Sequence, residues 1–223
     1  MVGTGLLLSG LSAENRLLAV AMVLGGTVLA ILTLRPLTPK GTLRLAAGLP
    51  SIIATRGLLY ASFAGVQAFV ALMLADVHGF STLVTGIAIA SGALSWTAGS
   101  WLQDRLDSRQ GPQNRHLRIL AGSAILAVGL AVQVAALFTS VGPLVLSILG
   151  WVVAGLGIGL AFSSCSVLAF ALAPEGKEGT VASSLQLADQ FTAAVSTGIG
   201  GALFAYVLSA CGSQQTGIFY AYG

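Results

Sequence analysis

A single carboxylate lies in one of the most apolar parts of the chain. Asp189 stands within VASSLQLADQF at 181–191, and no other acid lies within ten residues of it. Gln186 and Gln190 flank it at helical spacing, which predicts a polar stripe on one helix. A charge at the middle of a membrane costs at least about 2.5 kcal/mol, so the stripe should face protein or water. We expect it to line a central cavity, where Asp189 takes part in proton coupling or binds a cationic substrate; the alternative is a polar clasp between helices.

A second stripe precedes it in the chain. Arg56, Tyr60, Phe63 and Gln67 recur at steps of four, three and four residues, which places them on one helix face. Tyr60, Phe63 and Gln67 would offer an aromatic and amide surface to an amphiphilic substrate, and plain packing is the alternative. Arg56 is expected near the cytoplasmic end of its helix, with its guanidinium extended toward the interface.

The elements that must position these residues are membrane helices. The chain is 56% hydrophobic and 8% charged, whereas soluble domains carry about 25% charged residues. This composition predicts an all-α integral membrane protein, because its apolar runs are continuous and lack the alternation of barrel strands. A span needs roughly 20 mainly apolar residues. About six transmembrane helices are predicted, near 17–34, 51–75, 82–102, 119–139, 143–172 and 180–210.

Basic residues predict the orientation of these spans. They concentrate in alternate joints, at 35–50, 103–118 and 173–180, and only Arg16 falls on the other side. Because basic loops stay cytoplasmic, we expect a multi-pass protein of the plasma (inner) membrane with these joints inside and the N-terminus outside. The nine residues on that side are Arg35, Lys40, Arg44, Arg56, Arg105, Arg109, Arg115, Arg118 and Lys177.

Small residues repeat at helix-packing intervals in the last two spans. Gly155 and Gly159 form a GxxxG pair, and Ala194 and Gly198 form a similar small-residue pair. In lipid, small residues let helix backbones approach closely, so Gly155, Gly159 and Gly198 are predicted packing positions. A phosphate-binding loop is disfavoured because no strand precedes the glycines. Bending or sliding of these helices during transport is the further alternative.

Other chemistry finds little support in the sequence. Cys165 and Cys211 lie far apart, and His78 and His116 fall in joints predicted on opposite sides of the membrane. No paired carboxylates or nucleophile–histidine pattern indicates an enzyme, and no phosphate loop indicates ATP binding. We expect no catalytic residues, no metal and no cofactor. The net charge of +3 is too small to suggest nucleic acid as a partner.

One joint carries a recognisable motif. The sequence GSWLQDRLDSR at 99–109 resembles the Gly-x-x-x-Asp-Arg loop motif of the major facilitator superfamily. The resemblance implies a cytoplasmic loop in which Gly99 allows close helix approach and Arg105 and Arg109 face a helix end or lipid headgroups. The alternative is a solvated loop whose arginines only orient the protein.

The motif departs from the family pattern at two positions. Gln103 stands where the family has its acid, and Asp104 follows one residue late. Asp107 replaces the second glycine. At these two positions the chain lacks the residues of the family's motif, to which the resemblance assigns a role as a conformational latch.

Longer stretches resemble the same superfamily, in particular its drug–proton antiporter-like members. The residues at 35–50 resemble the linker between two six-helix halves, and those at 54–72, 150–164 and 181–204 resemble the first, fourth and fifth helices of a C-terminal half. The chain would then hold roughly the family's sixth to eleventh helices, as a partial bundle. Its parts would be an external N-terminal segment with a first transmembrane helix at 1–34, a cytoplasmic linker at 35–50, and a C-terminal-half-like bundle at 51–223, truncated near a last helix.

The resemblance implies a secondary active transporter, or a half or fragment of one. It would move small amphiphilic or hydrophobic molecules, by proton-coupled export through alternating access. Its partners would be the lipid bilayer, the small-molecule substrate and protons. A missing N-terminal half or a second protomer would be a further partner. The alternative is a non-transporting membrane subunit or a regulatory remnant of a transporter fold.

Overall fold

The described part of the chain is helical. The computed structural model describes residues 46–221 except 73, 76, 77, 140 and 141, with backbone alone at 72, 137 and from 201 onward. No strand occurs within these residues. The elements in chain order are α1 (Leu49–Leu72), α2 (Thr82–Gln110), a 3₁₀ turn (Pro112–Asn114), α3 (Arg115–Phe138), α4 (Pro143–Ala171) and α5 (Glu178–Ala221).

Four of these helical segments are long and apolar enough to cross a membrane. They are Leu49–Ala71, Thr82–Gln110, Pro112–Ala136 and Pro143–Ala171, and they correspond to the predicted spans at 51–75, 82–102, 119–139 and 143–172. The described residues therefore support an all-α membrane protein with four candidate spans rather than six. The predicted span at 17–34 and most of the linker at 35–50 lie outside the described residues. The sixth predicted span falls on α5, whose described side chains include Asp189 and two exposed glutamines; α5 is not among the four.

The charged joint at 103–118 is a correction to the sequence prediction. We expected a loop there, but α2 continues through it to Gln110 and α3 begins at Arg115. Leucine, glutamine and arginine are all good helix formers, so charge alone does not end a helix. The helix ends at Gly111, whose φ of 71° suits glycine, and Pro112 follows.

Helix α4 is the centre of the bundle. It packs against α2, α3 and α1, while α5 packs mainly against α1. Trp151, Ile158 and Cys165 of α4 are almost completely buried within one apolar cluster that draws side chains from α1 to α4. A smaller cluster around Ile53 and Leu185 joins α1 to α5.

Glycines set the spacing between α4 and its two main neighbours. A Cβ atom added to Gly159 would lie 2.9 Å from the Cα of Gly99 on α2. One added to Gly155 would lie 2.4 Å from the carbonyl oxygen of Gly92 and 3.1 Å from the backbone nitrogen of Trp96. On the other side of α4, a Cβ on Gly157 would stand 2.7 Å from a carbonyl oxygen of α3. The helix backbones therefore touch along both sides of α4. Gly198 is buried on α5.

Helices α1 and α5 also meet through small residues. The Gly57 position on α1 faces Ala188 and Thr192, and the Gly65 position faces Ser196. The Thr192 hydroxyl donates to the Gly57 carbonyl oxygen at 2.6 Å. This row of small side chains brings the two backbones close together and points the neighbouring Asp189 toward α1.

Candidate functional site

A buried ion pair joins α1 to α5. Arg56 donates to both carboxylate oxygens of Asp189, with Nη2 to Oδ2 at 2.8 Å and Nε to the two oxygens at 3.2 and 3.3 Å. The Arg56 side chain is 13% exposed and that of Asp189 is 5% exposed. The fork-like contact uses the planar geometry of the guanidinium, which a lysine does not provide.

The third helix of the site is α4. The Nη1 group of Arg56 donates to the Ser166 hydroxyl at 2.5 Å, and that hydroxyl donates to the carbonyl oxygen of Phe162 at 2.8 Å. The guanidinium carbon also lies 3.8 Å from the centre of the Phe162 ring. Arg56 is therefore held by a carboxylate, a hydroxyl and an aromatic face, which together replace much of the water around its charge.

An aromatic cluster continues from Phe162 into the bundle. Tyr60 lies 5.9 Å from Phe162 and 6.3 Å from Trp96, measured between ring centres. Phe63 stacks on Trp151 at 4.5 Å and meets Trp96 edge to face at 5.2 Å. Phe63 is buried inside this cluster, whereas Tyr60 remains partly exposed. Tyr60 is therefore the member of the pair that keeps some accessible surface.

The polar stripe predicted around Asp189 divides between two faces of α5. Asp189 is buried on the same side of α5 as Ser184 and Leu185, while Gln186 and Gln190 are exposed on the described bundle. The division follows from the contact of α5 with α1, which turns the Asp189 side inward. On α1, Gln67 is half-buried.

The loop-motif residues divide in a similar way. Gly99 is buried against α4, where it meets Gly159, while Asp104, Arg105 and Arg109 are exposed. The Arg105 guanidinium lies 3.9 Å from the centre of the Trp101 ring.

Asp107 is the charged centre of this end of the bundle. It accepts a bond from Arg115 Nη2 at 2.6 Å and another from Arg118 Nη1, and it thereby ties the end of α2 to the start of α3. Arg118 also donates to the carbonyl oxygen of Gly111 at 2.9 Å. Sequence analysis assigned the arginines only to orientation and gave Asp107 no role.

Two buried glutamines differ in their hydrogen bonding. Gln133 and Ser147 exchange two hydrogen bonds between α3 and α4, at 2.6 and 2.9 Å. Gln103, at the acid position of the motif, is almost completely buried, and neither amide atom has a partner among the described residues. Within the described ranges, no three His, Cys, Asp or Glu side chains come close enough together to hold a metal ion.

Arg56 is a correction to the sequence prediction, which extends its guanidinium toward the membrane interface. The guanidinium is instead held inside the bundle by Asp189, and Ser166 and Phe162 are neighbours that the sequence did not indicate. Spacing along one helix says nothing about which helix lies opposite. The available signal was charge complementarity, because a lone arginine and a lone aspartate in apolar runs each need a partner.

Comparison with known proteins gives no relative from which to assign a role. No protein-family model matches the chain, and no curated protein and no solved structure matches it significantly.

Proposed function

We propose that this chain is a secondary active transporter, or half of one, that moves small amphiphilic or hydrophobic molecules across the plasma membrane. The observation that carries the proposal is the buried Arg56–Asp189 pair, shared between three helices of an apolar bundle. Ionisable residues inside membrane helices are rare, face the protein interior, and mark ion and substrate pathways.

The pair supplies a chemical step that links a proton to helix movement. In its charged form it holds α1 against α5, because Arg56 donates to both oxygens of Asp189. A proton taken up by Asp189 removes the negative charge and with it the attraction between the two side chains. Helices α1 and α5 are then held mainly by small-residue packing, and the site opens to the other side of the membrane.

The substrate class follows from the surroundings of the pair. The exposed part of Tyr60 and the ion pair offer aromatic and charged surface. The half-buried Gln67 adds an amide on the same helix, about 10 Å along the axis from Tyr60. Such a mixture suits a molecule with an apolar body and one polar or cationic group. Phe63 is buried against Trp96 and Trp151, so it packs the aromatic cluster rather than contacting the substrate.

A transport assay with matched carboxylate variants tests the proposal. The full chain is reconstituted into proteoliposomes, and uptake of a fluorescent amphiphilic cation is followed under an imposed pH gradient. We expect Asp189→Asn to abolish gradient-driven uptake while exchange at equal pH on both sides continues. Asp104→Asn makes the same chemical change at an exposed carboxylate and should transport normally. Wild-type rates in Asp189→Asn would remove this residue from coupling.

The second candidate is a non-transporting membrane subunit or a regulatory remnant of a transporter fold. It is favoured by the completeness of the hydrogen bonding around Arg56 and by the closed Gln133–Ser147 clasp. The two functions differ in whether water reaches the polar side of α5 in the membrane. The transporter hypothesis includes three further proposals. The chain is related to the major facilitator superfamily, it works with a partner half or a second protomer, and its basic joints lie in the cytoplasm.

A further inference from the structure

One exposed face of α2 changes from apolar to basic along its length. Five exposed residues lie on it at steps of four, three, four and four, which is one continuous helical stripe. The opposite face of α2 is buried against α4. The stripe consists of Leu94, Ala98, Trp101, Arg105 and Arg109.

The order of these residues matches the layers of a bilayer. Leu94 is 74% exposed and Ala98 is also exposed, so this part of the helix suits hydrocarbon. Trp101, which is 56% exposed, follows it, and tryptophan is enriched at the membrane–water interface. Arg105 and Arg109 lie about 6 and 12 Å further along the axis. That places both guanidinium groups at the level of the phospholipid headgroups.

The positive charges of Arg105 and Arg109 are not neutralised by ion pairs within the described residues. Asp107, a half-buried acid on the same helix, is paired with Arg115 and Arg118. Neither Arg105 nor Arg109 forms an ion pair with any carboxylate in the described ranges. Asp104 is exposed in the same turn and offsets one of the two charges, so the stripe ends in a net positive charge.

We propose that Trp101, Arg105 and Arg109 form a binding site for the headgroup of an anionic phospholipid. The Trp101 ring, 3.9 Å from the guanidinium carbon of Arg105, holds that group flat at the surface. Arg105 and Arg109 then donate to the lipid phosphate, and an acyl chain lies along Ala98 and Leu94. The site requires only that α2 crosses a bilayer, and it does not depend on transport.

Native mass spectrometry of the full chain in detergent, titrated with phosphatidylglycerol or phosphatidylcholine, measures this binding. We expect wild type to retain phosphatidylglycerol more tightly. Because each arginine near a membrane surface contributes about 1 kcal/mol, each of Arg105→Gln and Arg109→Gln should weaken phosphatidylglycerol binding about fivefold. Trp101→Leu should weaken it as well, because the ring no longer orients Arg105.

Lys177→Gln is the matched control, since it removes one exposed positive charge from a joint predicted on the same side. It should bind phosphatidylglycerol like wild type. The proposal is overturned if Lys177→Gln weakens binding as much as the arginine variants, or if wild type binds both lipids equally. Thermal unfolding of each variant in phosphatidylcholine nanodiscs should match wild type, which separates lost lipid binding from lost folding.

Discussion

Arg56 and Asp189 are each unfavourable inside an apolar bundle, and each is tolerated because the other is present. Removing a buried charge from water costs several kcal/mol, which the partner's charge and the added hydrogen bonds offset. Ser166 and the Phe162 ring satisfy the rest of the guanidinium. The pair therefore contributes little net stability, and its main effect is to specify how α1, α4 and α5 meet.

A double-mutant cycle tests this balance. Arg56→Met or Asp189→Leu alone leaves an uncompensated buried charge, and each should lower the free energy of unfolding by about 3–5 kcal/mol. The double variant should lose much less than the sum, because no charge remains buried. Reversible unfolding of the full chain in mixed detergent micelles measures all four proteins.

Asp104→Leu, which changes an exposed acid on α2, is the control and should stay within about 0.5 kcal/mol of wild type. Additive losses in the double variant would contradict the pairing, since independent residues add.

At the scale of the helices, apolar length is enough to predict the positions of four helices, those that are candidates to span a membrane. The predicted starts at 82 and 143 coincide with the first residues of α2 and α4, and the 51–75 and 119–139 spans differ from α1 and α3 by a few residues. Length and hydropathy are properties of one segment, so one sequence reveals them. The helical course of 103–110 differs from the predicted loop, because arginines and acids on the exposed face of a helix do not end it.

The site was less predictable than the helices. The polar residues of α5 were identified, but their division between an inward Asp189 and outward Gln186 and Gln190 depends on the face that α5 presents to α1. That face is selected by the small residues opposite Gly57 and Gly65. Which faces of two helices meet depends on both segments, so the periodicity of either helix alone does not predict it.

Two glycines give a test of close packing between helices. Gly159 on α4 lies against the α2 backbone, whereas nothing lies within 4 Å of the Cβ position of Gly86 on α2. Gly159→Ala should therefore destabilise the bundle by about 1–3 kcal/mol, the usual cost of overpacking. Gly86→Ala should stabilise it by about 0.5–1 kcal/mol, because alanine is the better helix former.

The measurement is thermal or chemical unfolding of both variants beside wild type in one detergent. Because the two substitutions add the same methyl group to a helix, their difference isolates the neighbour's contribution. Equal effects of the two variants would show that α2 and α4 are not in backbone contact at Gly159.

Within the residues whose side chains are described, the outer surface of the bundle is of two kinds. The outward faces of α2 and α3 expose mainly apolar residues over their spans, among them Leu83, Leu94, Leu120 and Val128. The outer face of α5 instead exposes Gln186 and Gln190. An amide without a hydrogen-bond partner costs roughly 2–7 kcal/mol in an apolar medium. Lipid therefore suits α2 and α3, while the glutamine face of α5 needs water or protein beside it.

Spin labels distinguish these surroundings. A nitroxide at position 186 or 190 should collide mainly with a water-soluble nickel chelate if that face borders a water-filled cavity. A nitroxide at position 94 or 199 replaces an exposed apolar residue and should collide mainly with oxygen, which dissolves in lipid. Position 199 lies on the same helix as the glutamines, so it controls for the helix itself.

The ratio of the two collision rates decides between the two functions. A cavity gives a high nickel-to-oxygen ratio at 186 and 190, as alternating access requires. Low collision rates with both reagents at these positions indicate a protein-covered clasp and favour the non-transporting subunit. Oxygen-dominated collisions there, equal to those at position 199, contradict both, because two uncovered glutamines would then face hydrocarbon.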